Sequence, residues 1–130
     1  MSFADFTENE LLDHITGKGS YTMPTTYVGL STADPGEDAA TLAEPSGNGY
    51  ARVATTGSTW DAASGGATAN AAVITFPTAS GSWGTITHFA LFDALTTGNM
   101  LMSGALTASQ AITTNQIARF AIGALDITLG

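Results

Sequence analysis

The residues best equipped for chemistry are few and scattered. Two histidines, His14 and His88, accompany eleven carboxylates and ten serines, the raw material of a Ser-His-acid nucleophile. Such a triad assembles from distant segments, and its most recognisable local mark is a Gly-x-Ser-x-Gly elbow, which this chain lacks. His88 alternates with Ile86 and Ala90 and reads as a half-buried strand histidine. His14, beside Asp13, reads as part of a solvated helix face. Asp34, Glu37 and Asp38 form an oxygen-rich group that could hold a hard cation, but they lack the alternating acidic spacing of a calcium loop. Pro35-Gly36 between them points to a turn, and Glu44, next to Pro45, reads as surface. Gly47-Asn48-Gly49 is followed by neither a lysine nor a helix start, so a phosphate cradle is not expected. Arg52 and Arg119 stand out because only three bases exist; each either pairs with a carboxylate or is a charge on an exposed strand. Trp60 and Trp83 follow Ser/Thr/Gly segments and serve either sugar stacking or packing. No active-site constellation results, and neither a metal nor a cofactor is called for. The chain reads as a non-enzymatic binding or structural module.

The composition sets limits on that module. Across 130 residues, Ala, Gly, Ser and Thr make up slightly more than half, whereas Leu, Ile, Val and Phe supply only 26 positions. That is a thin stock for one core, so part of the burial is expected against a neighbouring subunit. Eleven acids face three bases, a formal charge of −8, and three bases cannot neutralise the phosphates that nucleic-acid binding requires. No apolar run exceeds four residues, so no helical membrane span is expected. The start, Met1-Ser2-Phe3-Ala4-Asp5, has no basic or apolar stretch and does not resemble a signal peptide. The absence of cysteine excludes disulfides and thiolate sites.

The elements that must position these side chains are one helix and a series of short strands. Thr7-Glu8-Asn9-Glu10 fits a capping box, Phe6 is placed to staple onto Leu11, and Leu11, Leu12 and Ile15 follow at helical spacing up to a stop at Gly17. An earlier start at Ser2 would draw in Phe3. From Tyr21 onward, strands are expected over residues 25–31, 50–56, 71–76, 85–93, 99–107, 116–122 and 125–128, separated by Gly/Ser/Pro turns. The expected fold is mainly β: one domain over 1–130, with an N-terminal helical segment (1–20) and an antiparallel sandwich or barrel-like unit (21–130) of about seven to eight short strands. Residues 85–93 offer apolar groups to both faces, Phe89 and Leu91 on one and Ile86, Ala90 and Phe92 on the other. Such a strand is central, with the helix or a second subunit as its cover. The candidate contact residues are Phe3, Phe6 and Leu11 on the N-terminal segment, His88 and Phe89 on this strand, and Arg52, Trp60, Trp83 and Arg119.

The order and spacing of several segments carry a resemblance. They are Glu10 to His14, Tyr27 to Gly36, Glu44 to Val53, Ile74 to Pro77, Ser82 to Asp93, Gly104 to Thr107 and Leu125 to Leu129. Together they make the chain similar to a family of small bacteriophage virion proteins commonly labelled phage tail fibre proteins. The resemblance implies a structural component of the particle, made in the host cytoplasm, with no catalytic residues to carry over. A fibre shaft needs a long repetitive or coiled-coil segment that this chain lacks, so capsid decoration (a cement protein on the head) is the preferred expectation. A tail-fibre or tail-tip protein binding a host receptor or glycan, through Trp60, Trp83 or Tyr50 at loop tips, is the alternative. The expected partners are further copies of the chain, as a homotrimer, and the major capsid protein or tail proteins, with neither nucleic acid nor membrane.

Overall fold

A computed structural model describes residues 1–129. It has one α-helix, α1 (Asp5–Thr16), and nine strands. The strands are β1 (Ser2–Phe3), β2 (Tyr27–Ser31), β3 (Val53–Ala54), β4 (Ala67–Ala69), β5 (Ile74–Thr78), β6 (Gly84–Phe92), β7 (Met100–Ile112), β8 (Ile117–Phe120) and β9 (Asp126–Thr128). The fold is mainly β, as expected, and every pairing is antiparallel. One five-stranded sheet runs β1-β7-β6-β2-β3, and two ribbons, β4-β9 and β5-β8, accompany it. The large sheet is open, with edges at β1 and β3, so no barrel is formed.

β6 is central, as its two-faced pattern requires: β2 and β7 flank it, and Phe89 to Phe92 are all buried. One face of the large sheet shares a core with the ribbons, where Val28, Leu30, Phe89 and Leu91 meet Ile74, Phe76 and Phe120. Ala90, Phe92 and Met100 on the other face are covered by Ala4, Ala39 and Leu42. The apolar part of the cover is therefore the residue before the helix and the 33–44 loop. Ile86 departs from the expected alternation and joins Phe89 in the main core. The cause is a register slip. Ile86 pairs with Gln110 but His88 pairs with Ala105, so two steps along β6 are matched by five along β7, and the face presented changes across the irregularity.

The helix keeps its expected stop but not its expected start. Gly17 takes φ 78 in the left-handed region, and its N–H is bonded to the His14 carbonyl. At the other end no capping box forms, because tertiary backbone bonds tie the entry instead. The Ala4 N–H donates to the Leu101 carbonyl and the Asp5 N–H to the Glu37 carbonyl, and helical bonding starts at Glu8 onto Ala4. Thr7 is turned into the core, and its hydroxyl has no partner there. Phe6 meets Tyr21 edge-on at 6.4 Å. Leu12 and Ile15 face away from the body, 60% and 78% exposed, so the apolar stripe is not the buried face.

Candidate functional site

The most organised polar group in the molecule surrounds Arg52, and the turn-rich stretch from Glu44 to Arg52 builds it. The Glu44 carboxylate grips the guanidinium in two places, Nε to Oε1 at 2.9 Å and a terminal nitrogen to Oε2 at 2.6 Å. The remaining terminal nitrogen donates to the Ala94 and Thr97 carbonyls, both at 2.8 Å. The planar group lies 3.4 Å above the centre of the Phe92 ring. The Tyr50 hydroxyl donates to Glu44 Oε1 at 2.7 Å and accepts the Leu30 amide at 2.9 Å. Burial, above all, pushes the Tyr50 hydroxyl far above the usual tyrosine pKa; the hydrogen bond it donates to Glu44 adds to the rise, and the Leu30 amide and Arg52 oppose it. Gly29 is required beneath: a Cβ there would sit 2.7 Å from Phe92, 2.9 Å from Glu44 and 3.0 Å from the Tyr50 hydroxyl.

This arrangement is closed. Arg52 is buried and makes four hydrogen bonds, so its fork is engaged within the chain rather than offered to a ligand. It joins the loop ahead of β3 to the turn between β6 and β7 and to the ring of Phe92. Of the two readings open for Arg52, pairing holds. Glu44, read as surface, is its partner.

The other expected residues lie in separate places. Arg119 on β8 is exposed and forms no ion pair among the described residues. Trp83 is buried, with its indole N–H on the Asn48 carbonyl at 2.9 Å and its ring edge-on to Tyr50 at 5.3 Å, so it is a packing residue and not a loop tip. Tyr50 is likewise engaged from both sides of its hydroxyl. Trp60 is half-buried, donates to the Thr55 hydroxyl at 3.1 Å, and lines a shallow cleft of about 570 Å³ with Met23 and Pro24. His88 is half-buried in β6, with Nε2 3.9 Å from Asp34 and Nδ1 2.8 Å from the Thr87 hydroxyl. Phe89 is a core residue against Phe120, and Phe3, Phe6 and Leu11 are half-buried. Asp34 and Asp38 accept from the Gly36 and Ala40 amides, each closing its own turn. Among the described residues no three His, Asp or Glu side chains gather as a metal site would need.

With the geometry in view, the comparison with known families decides the class of the chain. The family model for the podophage GP4 fiber I protein gp80 matches residues 2–128. The chain belongs to this family of phage fibre proteins. The expected kinship with small phage structural proteins of tail-fibre type is thereby borne out. No curated protein matches the chain.

Pattern reading missed two organising residues, Asn70 and Glu44. Asn70 is fully buried; its amide donates to the Ala72 and Ala121 carbonyls at 2.9 and 2.8 Å, and its oxygen accepts the Leu125 amide at 2.9 Å. It thus ties the connection between β8 and β9 to the body across more than fifty residues of chain. Glu44 carried a usable signal, since it is the carboxylate nearest to Arg52 in sequence and the intervening Pro-Ser-Gly-Asn-Gly can fold back on itself. Asn70 carried none, because two of its three partners, Ala121 and Leu125, lie more than fifty residues further along the chain.

Proposed function

We propose that this protein is a non-enzymatic structural component of the phage particle, built into a tail fibre and working by assembly with further copies and with other virion proteins. The observation that carries this reading is the family match over nearly the whole chain. The closed state of the Arg52 group supports it, since the best-ordered polar cluster is a brace rather than an open pocket. The match favours the fibre alternative over head decoration. The missing shaft does not oppose this, because a compact module can be one part of a fibre whose length comes from other chains. The charge of −8 suits a protein made at high copy in the host cytoplasm and displayed on the particle surface. A trimer is the assembly expected of such a component, given its scarcity of large apolar side chains.

Immunogold labelling of purified phage with antibody against this chain tests the location. Gold on tail appendages is the expected result. Gold spread over the head would return the decoration reading, and particles without gold would remove both.

A further inference from the structure

The monomer leaves two unlike surfaces open, and they match. On α1, Glu8, Leu12 and Ile15 follow at intervals of four and three residues and so stack on one face. That face looks away from the body, which is held instead through Ala4 and Thr7. The helix carries four acids, Asp5, Glu8, Glu10 and Asp13. The second surface is an apolar cleft between β7 and β8. Hollows of about 320 and 210 Å³ adjoin there, sharing Leu106, Gln110 and Phe120 as walls, with Ile117 on the rim. It lies where the register slip gives β7 extra residues opposite β6, with Leu106, Thr107, Ala108 and Gln110 among its walls. Arg119 is the single charged residue lining either hollow.

We propose that the Glu8–Leu12–Ile15 stripe of one copy seats in the β7–β8 cleft of a second copy, with Glu8 facing Arg119. The proposal rests on the reading that this chain works by assembly. Charge complementarity selects the occupant. Of the three bases, Arg52 is consumed within the chain and Lys18 follows the acidic helix itself. That leaves Arg119, set in an apolar cleft, as the cation placed to meet acids from outside. An apolar stripe flanked by carboxylates is what such a cleft recognises, and the chain displays one. Hollows of about 320 and 210 Å³ match the size of single aliphatic side chains better than a whole helix, which fits Leu12 and Ile15 entering as knobs. Because the two surfaces differ, the contact is head-to-tail and either closes into a ring, such as a trimer, or continues along an axis.

The natural absence of cysteine makes the test direct. Full-length Glu8→Cys mixed with full-length Arg119→Cys should form the mixed disulfide under mild oxidation in clear excess over a mixture of Leu95→Cys with Arg119→Cys. In sedimentation, Glu8→Arg and Arg119→Glu should each weaken self-association by on the order of tenfold or more, and the two reversals in one chain should restore it. Leu12→Ser with Ile15→Ser should abolish it. These side chains are exposed, so the variants keep the wild-type circular dichroism. A wild type that stays monomeric at high micromolar concentration, cross-linking no better than the Leu95 control, or a double reversal without rescue would overturn the contact. Gold on the fibre with a monomer in solution would sink this contact and leave the functional reading standing.

Discussion

Arg52→Met is the substitution that most sharply tests how this molecule is braced. It removes the guanidinium but keeps an apolar stem of similar reach over Phe92. Removing one partner of a buried ion pair costs about 3–5 kcal/mol, because the remaining charge stays desolvated. Two features of the site place the expectation at the lower end. The Glu44 side chain keeps 20% of its surface, so water can reach the orphaned carboxylate. Ala94 and Thr97, whose carbonyls lose their donor, also lie at or near the surface. The expected loss is therefore about 3 kcal/mol, a fall in Tm of roughly 10 °C for a chain of this length.

Urea unfolding followed by far-ultraviolet circular dichroism measures this directly, with m held constant as the check on two-state behaviour. Arg52→Lys should recover only part of the loss, since an ammonium cannot hold both carboxylate oxygens and two carbonyls at once. Replacing both partners, Arg52→Met with Glu44→Met, should come back to within about 2 kcal/mol of wild type, as no charge is then stranded. A loss below about 1 kcal/mol for Arg52→Met would place the pair among ordinary surface bridges. A double variant worse than the single would refute the stranded-charge argument itself.

Three further outcomes follow from neighbouring features. Thr7→Val should be neutral or stabilising by about 1 kcal/mol in the same assay, because the buried hydroxyl has no partner to lose; a loss of that size would mean that Thr7 caps the helix after all. Gly29→Ala should cost about 1–3 kcal/mol by overpacking against Phe92, Glu44 and the Tyr50 hydroxyl, and an unchanged Tm would show that the group has slack. The folded state holds the Tyr50 proton to higher pH than the unfolded chain does, so its contribution is intact below about pH 10 and falls as pH rises past it. Thermal melts between pH 8 and 11 should show that fall in the wild type and a smaller one in Tyr50→Phe; equal slopes would deny Tyr50 the role.

What could be read from the sequence was whatever local chemistry decides alone. The Gly17 stop needs only a residue free to take positive φ, and the central place of β6 follows from apolar groups on both of its faces. Local rules failed where a distant backbone supplied the same service. The carbonyls of Leu101 and Glu37 tie down the start of α1, and Thr7, released from capping, turned inward. Two-residue β1 has no pattern to detect; its existence depends on Ser2 and Phe3 finding Ser103 and Met102. Strand 50–56 shrank to Val53–Ala54 because Tyr50 and Arg52 are drawn into the Glu44 cluster instead of a ladder. The Ile86 face could not be read, since alternation holds only while register does.

The scarcity of large apolar side chains takes a different meaning from this arrangement. Part of the interior is held by polar hubs that organise loops at a distance, Arg52 through four hydrogen bonds and Asn70 through three. Trp83 does similar work by fastening the Asn48 loop to the core. These hubs let a chain rich in Ala, Gly, Ser and Thr close its core with few large residues. Yet the same chain leaves Leu12, Ile15, Ile117 and Ile122 on its surface, each at least 44% exposed. Scattered exposed aliphatics are ordinary, but a helical stripe and a complementary cleft on the same chain are not scattered. The contact proposed between copies would bury both, and on that proposal the thin core of the monomer belongs to an assembling part.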